Sequence, residues 1–178
     1  MFKRVDANID LPSVESEISA YWDKINAFET SVENRKNDKT FRFYDGPPFP
    51  TGSPHYGNLL AGVIKDIVPR YWTMRGYYVE RRFGWDVHGL PIEMEVQKKL
   101  NLEDPQQIDE YGIDKFNEAC RSQVQTNTEN WEKITRKIGR WVDFENDYKT
   151  MDIEFMESVW WVFKELWSKD FSSIGIAV

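Results

Sequence analysis

The sequence predicts an α/β fold in which parallel strands combine with several helices. The aromatic segment 41–44 has the composition of a buried strand. Apolar residues in 59–74 then recur at helical spacing, and 77–82 has the pattern of a second strand. A strand, a helix and a strand in this order form a right-handed crossover that makes the two strands parallel. Ligands bind such sheets at the carboxyl ends of the strands.

The predicted first strand is followed by a glycine- and proline-rich run over 45–58, which ends in His55-Tyr56-Gly57-Asn58. A turn between a strand and a helix suits a phosphate, because free N–H groups and the dipole at the helix N-terminus favour an anion. His55 and Asn58 are three residues apart, about one helical turn, so both side chains can face one phosphate. Gly57 permits close approach of a nucleotide. Alone, a histidine at such a junction is most often a surface or capping residue.

A second glycine-bearing run, 84–91, follows the predicted second strand and contains Asp86 and His88. Because both runs follow strands of one parallel sheet, we expect them to converge on one ligand site. An aspartate after a strand is more often a cap or a turn former than a ligand. His88 either orients Asp86 or simply packs.

Helices are predicted on both sides of these runs. Residues 14–28 have apolar positions at helical spacing, with Ser13 as the expected N-cap. Pro69 is expected to kink the helix at 59–74 or end it early, and Gly76 closes it.

The second half of the chain is predicted to be mostly helical. Asp114 and Asp152 are the expected caps of its two long helices. The last helix has too many apolar residues for one narrow stripe, so we expect it to be buried on several sides or to need a partner surface. The predicted helices are 92–100, 104–111, 114–138 and 153–167.

Length, charge and cysteine content limit the functional classes. The 178 residues suffice for one domain with a real core, and the net charge of −7 gives no general basic footprint for nucleic acid. The single cysteine, Cys120, excludes an intrachain disulfide framework and a cysteine zinc cluster. The sequence has no apolar run of ~18 residues and no signal-peptide pattern, so we expect a cytoplasmic protein without a membrane span.

The two runs together resemble the class I aminoacyl-tRNA synthetases, most closely their isoleucine branch. The tetrad that begins at His55 matches the family's His-x-Gly-His motif, with Asn58 in the last place. The pieces 45–48 and 85–91 point to the isoleucine branch rather than to the leucine or valine branches. The resemblance extends over about 14–167, and its further segments occur in the family's order: 65–67, 75–77, 81–86, 91–93 and 157–161.

This resemblance implies the N-terminal half of a Rossmann-type catalytic domain. It divides the chain into a helical segment and linker at 1–40, the first half of the nucleotide-binding domain at 41–167, and a divergent tail at 168–178. The family's Lys-Met-Ser-Lys-Ser loop and its editing domain have no counterpart in the chain. We therefore expect a truncated fragment that is inactive alone, and either monomeric or self-associating.

The reaction that the resemblance implies is ATP-dependent activation of isoleucine to an aminoacyl-adenylate, followed by transfer to tRNA. His55 and Asn58 are the implied catalytic residues. Magnesium is expected to arrive with ATP, without protein-bound zinc. The residues implied for ATP are Gly52, Ser53, Pro54, His55, Gly57 and Asn58. The residues implied for isoleucine are Gly46, Pro47, Asp86 and His88.

Two alternatives stay open at the level of sequence. The chain could be a non-catalytic interaction module that complements or regulates a full-length synthetase, as the apolar last helix suggests. It could also be a different nucleotidyltransferase on the same scaffold, because a fold does not fix a function. The presence of Asp86 together with Gly46 and Pro47 argues against the second alternative, since by resemblance these residues serve an amino acid.

Overall fold

A computed structural model describes residues 8–169 and residue 171. That part of the chain contains seven α-helices and one parallel two-stranded sheet, so the predicted α/β class is confirmed. In chain order the elements are α1 (Leu11–Lys24), α2 (Ala27–Glu33), α3 (Tyr56–Met74), β1 (Arg82–Trp85), α4 (Leu90–Leu100), α5 (Pro105–Tyr111), α6 (Ile113–Lys137), β2 (Asp143–Lys149) and α7 (Ile153–Ser168).

The described residues form two compact units. The first unit contains α1, α2 and α3, and the second contains the sheet with α4, α5 and α7. Helix α6 begins in the second unit and ends in the first. The predicted boundaries at 40 and 167 stay predictions, and most of the predicted tail at 168–178 lies outside the described residues.

Helix α3 is the longest of the three helices α1, α2 and α3 of the first unit. It continues through Pro69 to Met74, so the expected early end is wrong. Pro69 is buried, and its carbonyl accepts hydrogen bonds from Thr73 Oγ1 at 2.8 Å and from Arg81 Nη2 at 3.1 Å. Tertiary burial thus outweighs the cost of a proline inside a helix. Gly76 follows the helix end in the left-handed region at φ +84°, as predicted.

The predicted strand at 41–44 is wrong. A single parallel bridge joins Thr40 to Tyr78, supported by a bond of 2.9 Å from Phe41 N to Tyr78 O. The Phe41 ring stacks on Trp72 of α3, with ring centroids 4.8 Å apart. The aromatic composition that suggested a strand serves packing against a helix instead.

The sheet of the second unit consists of β1 and β2. The second predicted strand begins later than expected, at Arg82, so Gly84 lies inside β1 rather than after it. Gly84 pairs with Tyr148, and the register shifts between Arg82 and Gly84. Strand β2 was not predicted, because its residues are mostly polar and charged.

Aromatic side chains fill the core next to this sheet. Phe83 and Trp85 are each 1% exposed, and the Phe83 ring stacks on Phe144 with centroids 4.7 Å apart. Helices α4 and α6 also contribute buried residues, and they confirm the helices predicted at 92–100 and 114–138. Their buried residues are Ile92 and Val96 of α4, with Phe116, Val124 and Trp131 of α6.

Helix caps agree only partly with the sequence. Asp104 caps α5 by accepting a hydrogen bond of 2.9 Å from Gln107 N. Ser13 and Asp114 are wrong as caps because they lie inside α1 and α6. Asp152 directly precedes α7, but its carboxylate accepts from Lys149 N at 2.8 Å and not from the helix.

Helix α7 has no buried residue, so the expected burial on several sides is wrong within the described chain. Trp160 is 69% exposed and Trp161 is 62% exposed. Among the described helices, none has the length and apolar character that crossing a membrane requires.

Candidate substrate-binding site

The two motif runs meet in the second unit. Asp86 is the first residue after β1, at the carboxyl end of a parallel strand. Its N–H donates to the carbonyl of Pro48 at 2.9 Å. This bond fixes the backbone of the second run against that of the first, next to Gly46 and Pro47.

Thr150 holds the segment that follows β1. Its N–H donates to Trp85 O at 3.0 Å, and its hydroxyl oxygen accepts from Val87 N at 3.0 Å. The same hydroxyl lies 3.4 Å from Asp86 Oδ1 and 2.6 Å from His88 Nδ1. Thr150 is buried, Asp86 is half-buried and His88 is exposed. One side chain therefore connects the two predicted isoleucine-binding residues of the second run.

Asp147 anchors β1, the strand that directly precedes Asp86. The Trp85 indole donates from Nε1 to Asp147 Oδ2 at 2.7 Å, and Lys149 Nζ lies 2.7 Å from Asp147 Oδ1. Because the Trp85 side chain is buried, its N–H needs this acceptor.

Tyr148 connects β2 to the start of the first run. Its hydroxyl donates to the backbone carbonyl of Asp45 at 3.2 Å, and its ring is parallel to Phe155 with centroids 5.9 Å apart. Burial raises the pKa of Tyr148, the Asp45 charge raises it further, and Arg82 opposes this rise. The ring lies directly over Gly84, where any side chain would collide with it.

The loop predicted to cover ATP is fixed by α6. Gly52 has a left-handed backbone at φ +57°, which glycine adopts without strain. Its carbonyl accepts from Trp131 Nε1 at 2.8 Å, and Asn130 Nδ2 lies 3.4 Å from Ser53 Oγ. Pro54 follows these anchored residues and is half-buried.

The tetrad that begins at His55 spans both units. His55 is exposed and directly precedes α3, at the end of the second unit's first segment. Gly57 and Asn58 lie in the first turn of α3, in the first unit. The predicted isoleucine residues, together with Gly52, Ser53, Pro54 and His55, thus belong to one unit.

A cleft of about 450 Å³ opens in the second unit. Burial raises the pKa of Cys120 in its wall, and Glu93 raises it further. The described residues contain no group of three or more His, Cys, Asp or Glu side chains that could hold a metal ion. The cleft is lined by both polar and apolar side chains, among them His88, Ile92, Glu93, Cys120, Thr150, Phe155, Met156 and Trp160.

Comparison with known proteins decides the family. Residues 17–174 match the family described as tRNA synthetases class I (I, L, M and V). The chain belongs to this family.

Several proteins to which this chain is similar are named isoleucine–tRNA ligases. The ligase of Treponema denticola is 52% identical over 169 residues, which are 95% of this chain and 15% of the relative. The cytoplasmic ligase of Arabidopsis thaliana is 53% identical over 167 residues, covering 94% of this chain and 14% of the relative. That of Mycobacterium tuberculosis is 53% identical over 169 residues, covering 95% and 16%. The chain thus spans about 15% of the length of these synthetases.

A solved synthetase structure shares the fold. It is the LeuRS chain of a ternary complex with tRNA and LeuAMS from Agrobacterium radiobacter, with a TM-score of 0.63 and 21% identity. The match covers 92% of this chain and 18% of that one. The fold is therefore that of a class I synthetase segment.

Sequence reasoning missed the residues that support the site. Thr150, Tyr148 and Trp131 are far in sequence from the motifs that they hold. Phe144 and Tyr148, four residues apart, were the available signal for a strand near Thr150. The intervening charged residues hid this signal.

Proposed function

We propose that this chain provides the isoleucine-activating site of an isoleucine–tRNA ligase. The observation that carries the proposal is the hydrogen bond from Asp86 N to Pro48 O, which joins the two motif runs at the carboxyl end of β1. Identities of 52–53% to ligases named for isoleucine support the choice of amino acid.

Asp86 binds the ammonium group of isoleucine in this proposal. Its half-buried position favours a charge-assisted hydrogen bond, because partial desolvation strengthens the attraction between carboxylate and ammonium. Gly46 and Pro47 precede the residue that accepts the Asp86 N–H, so their backbone lines the same site. His88 adjoins Asp86 through the hydroxyl of Thr150.

ATP occupies the start of α3 and the loop before it. An oxygen of the isoleucine carboxylate attacks the α-phosphate, the bond to the β-phosphate breaks, and pyrophosphate leaves. His55 and Asn58 donate hydrogen bonds to the phosphates, where the helix N-terminus also favours negative charge. The asparagine amide donates but cannot become cationic. The anchored residues Gly52 and Ser53 offer ATP a fixed backbone, and Pro54 and Gly57 are the other ATP-binding residues of the proposal.

Magnesium arrives as its ATP complex. Transfer of isoleucine to tRNA completes the proposed reaction. The net charge of −7 makes any tRNA contact of this segment local rather than general.

A chimera tests the proposal directly. The chain replaces the 169 matching residues of the Treponema denticola ligase, and isoleucine-dependent ATP–pyrophosphate exchange is measured. We expect the chimera to exchange with isoleucine in preference to valine or leucine. A folded chimera that exchanges with none of the three amino acids would contradict the proposal.

Two variants of the chimera separate the proposed roles. His55→Ala should lower kcat by about 100-fold, because it removes a donor to the charge that develops in the transition state. Asp86→Ala should chiefly raise the KM for isoleucine, by about 100-fold, because it removes one partner of a desolvated charge pair. Equal effects of both substitutions on both constants would contradict these roles.

A further inference from the structure

Thr150 contacts four consecutive residues, 85–88. Its N–H donates to the carbonyl of Trp85, and its hydroxyl lies within hydrogen-bond distance of groups on the next three residues, 86–88. We propose that Thr150 is a positioning residue that orders the Asp86 carboxylate through a hydrogen-bonded chain from His88 to Thr150 to Asp86.

The number of hydrogen bonds that a hydroxyl can donate and accept determines the direction of this series of hydrogen bonds. A threonine hydroxyl donates one proton and accepts two hydrogen bonds. Val87 N–H occupies one acceptor position, at 3.0 Å. When His88 donates from Nδ1, the second acceptor position is filled and the hydroxyl proton points to Asp86 Oδ1. This arrangement satisfies every polar group around the buried oxygen.

The opposite direction leaves Asp86 without this bond. A His88 protonated only on Nε2 would draw the Thr150 proton to Nδ1, which is the nearer neighbour at 2.6 Å. The two directions therefore differ in the tautomer of His88 and in the hydrogen bonding of Asp86. Of the two neutral tautomers, only Nδ1–H is compatible with the inferred direction.

The consequence for ligand binding rests on the proposed function. A hydroxyl that donates to one oxygen of Asp86 fixes the orientation of the carboxylate and leaves the other oxygen for an ammonium group. The backbone of Asp86 is already fixed by Pro48, so both ends of the residue are held. Preorganisation of this kind strengthens binding because less conformational freedom is lost when the ligand arrives.

Three variants of the 178-residue chain test the proposal by isoleucine titration. Thr150→Val keeps the shape and removes the hydroxyl, so the Kd for isoleucine should rise about 10-fold, as expected for loss of a hydrogen bond to a charged group. Thr150→Ser retains the hydroxyl and should bind within about twofold of wild type. Thr128→Val is the matched control, because Thr128 is also buried and its hydroxyl bonds Gln125 O of its own helix at 3.0 Å.

The tautomer of His88 gives a readout that a merely structural role would not change. Long-range ¹H–¹⁵N correlation spectra of the neutral imidazole distinguish Nδ1–H from Nε2–H, and a His88→Gln variant assigns the signals. We expect Nδ1–H in wild type and Thr150→Ser, and a shift toward Nε2–H in Thr150→Val. An Nε2–H tautomer in wild type would overturn the proposal, as would unchanged spectra and affinity in folded Thr150→Val.

The isoleucine titration and the tautomer spectra together separate a failure of this inference from a failure of the proposed function. A wild-type chain that binds no isoleucine would count against the function, while the tautomer spectra would still decide the role of Thr150. If Thr150→Val does not fold, the comparison of wild type with Thr150→Ser decides: Nδ1–H in both supports the chain of bonds, and Nε2–H in either contradicts it.

Discussion

A methyl group at Gly84 should disrupt the sheet next to the proposed isoleucine site. A Cβ at this position would overlap three atoms of the Tyr148 side chain: Cζ and Cε1 of the ring, and the hydroxyl oxygen Oη. The ring cannot move away cheaply, since its hydroxyl bonds Asp45 O at 3.2 Å and its face lies parallel to Phe155. Gly84→Ala therefore forces the paired strands apart or breaks both contacts.

The expected loss of stability is about 3 kcal/mol, the upper end of the usual cost of overpacking a core. At a urea m-value of about 2 kcal/mol/M, this loss lowers the unfolding midpoint by about 1.5 M. Urea titration of the wild-type and variant chains, followed by tryptophan fluorescence, measures the difference.

Gly62→Ala is the matched control. Gly62 is also buried, but a Cβ there would meet only Ile138 Cδ1 at 3.5 Å, an ordinary contact. Because alanine favours helix over glycine by about 0.5–1 kcal/mol, this variant should be as stable as wild type or more stable. Tyr148→Ala should also reduce the cost of Gly84→Ala to below about 1 kcal/mol in a double-mutant cycle. The reasoning is refuted if Gly84→Ala unfolds at the wild-type midpoint, or if Tyr148→Ala leaves its cost unchanged.

Three further predictions concern the second unit. Because the pKa of Tyr148 is raised in the folded chain, this tyrosine ionises at lower pH in the unfolded chain. As pH rises above about 10, wild type should therefore lose more stability than Tyr148→Phe. Equal losses of stability in the two proteins would contradict this. Asp147→Ala should cost about 1–3 kcal/mol in urea titration by leaving the buried Trp85 N–H without its acceptor, whereas exposed Glu145→Ala should cost almost nothing. The exposed apolar face of α7 should cause concentration-dependent self-association that Trp160→Glu reduces; light scattering that shows a monomer at high concentration would oppose this.

The helices could be predicted from the sequence because their signals are local. Apolar spacing identified α1, α3, α6 and α7, and helices were also predicted at 92–100 and 104–111, where α4 and α5 lie, but α2 was not predicted. Their exact ends were less accurate, since Ser13 and Asp114 have the chemistry of caps but lie one to two residues inside their helices.

The strands could not be predicted equally well because their partners lie far away in sequence. Residues 41–44 have the composition of a strand, yet the Phe41 ring stacks on Trp72 and the segment does not pair in a sheet. Strand β2 has the composition of a loop, but pairing with β1 and contact of Phe144 with Phe83 make it a strand. Tertiary contacts overrode local propensity in both cases.

Local signals likewise identified some residues of the candidate site, whereas residues that depend on distant contacts were missed. Asp86, His88 and the first run stand out in sequence because glycines and prolines surround them. Thr150 gives no such signal, because its contacts with 85–88 exist only once β2 has paired with β1.

The most direct test of the account is an isoleucine titration of the ¹⁵N-labelled 178-residue chain and of its Asp86→Asn variant. Asparagine keeps the size of the side chain and an oxygen for Thr150, but it removes the negative charge. We predict saturable shifts of the Trp85 indole and His88 signals with isoleucine in wild type, smaller shifts with valine at equal concentration, and at least about 10-fold weaker binding in the variant. Equal binding of isoleucine by Asp86→Asn, or no saturable shift in folded wild type, would contradict the central claim that this segment recognises isoleucine through Asp86.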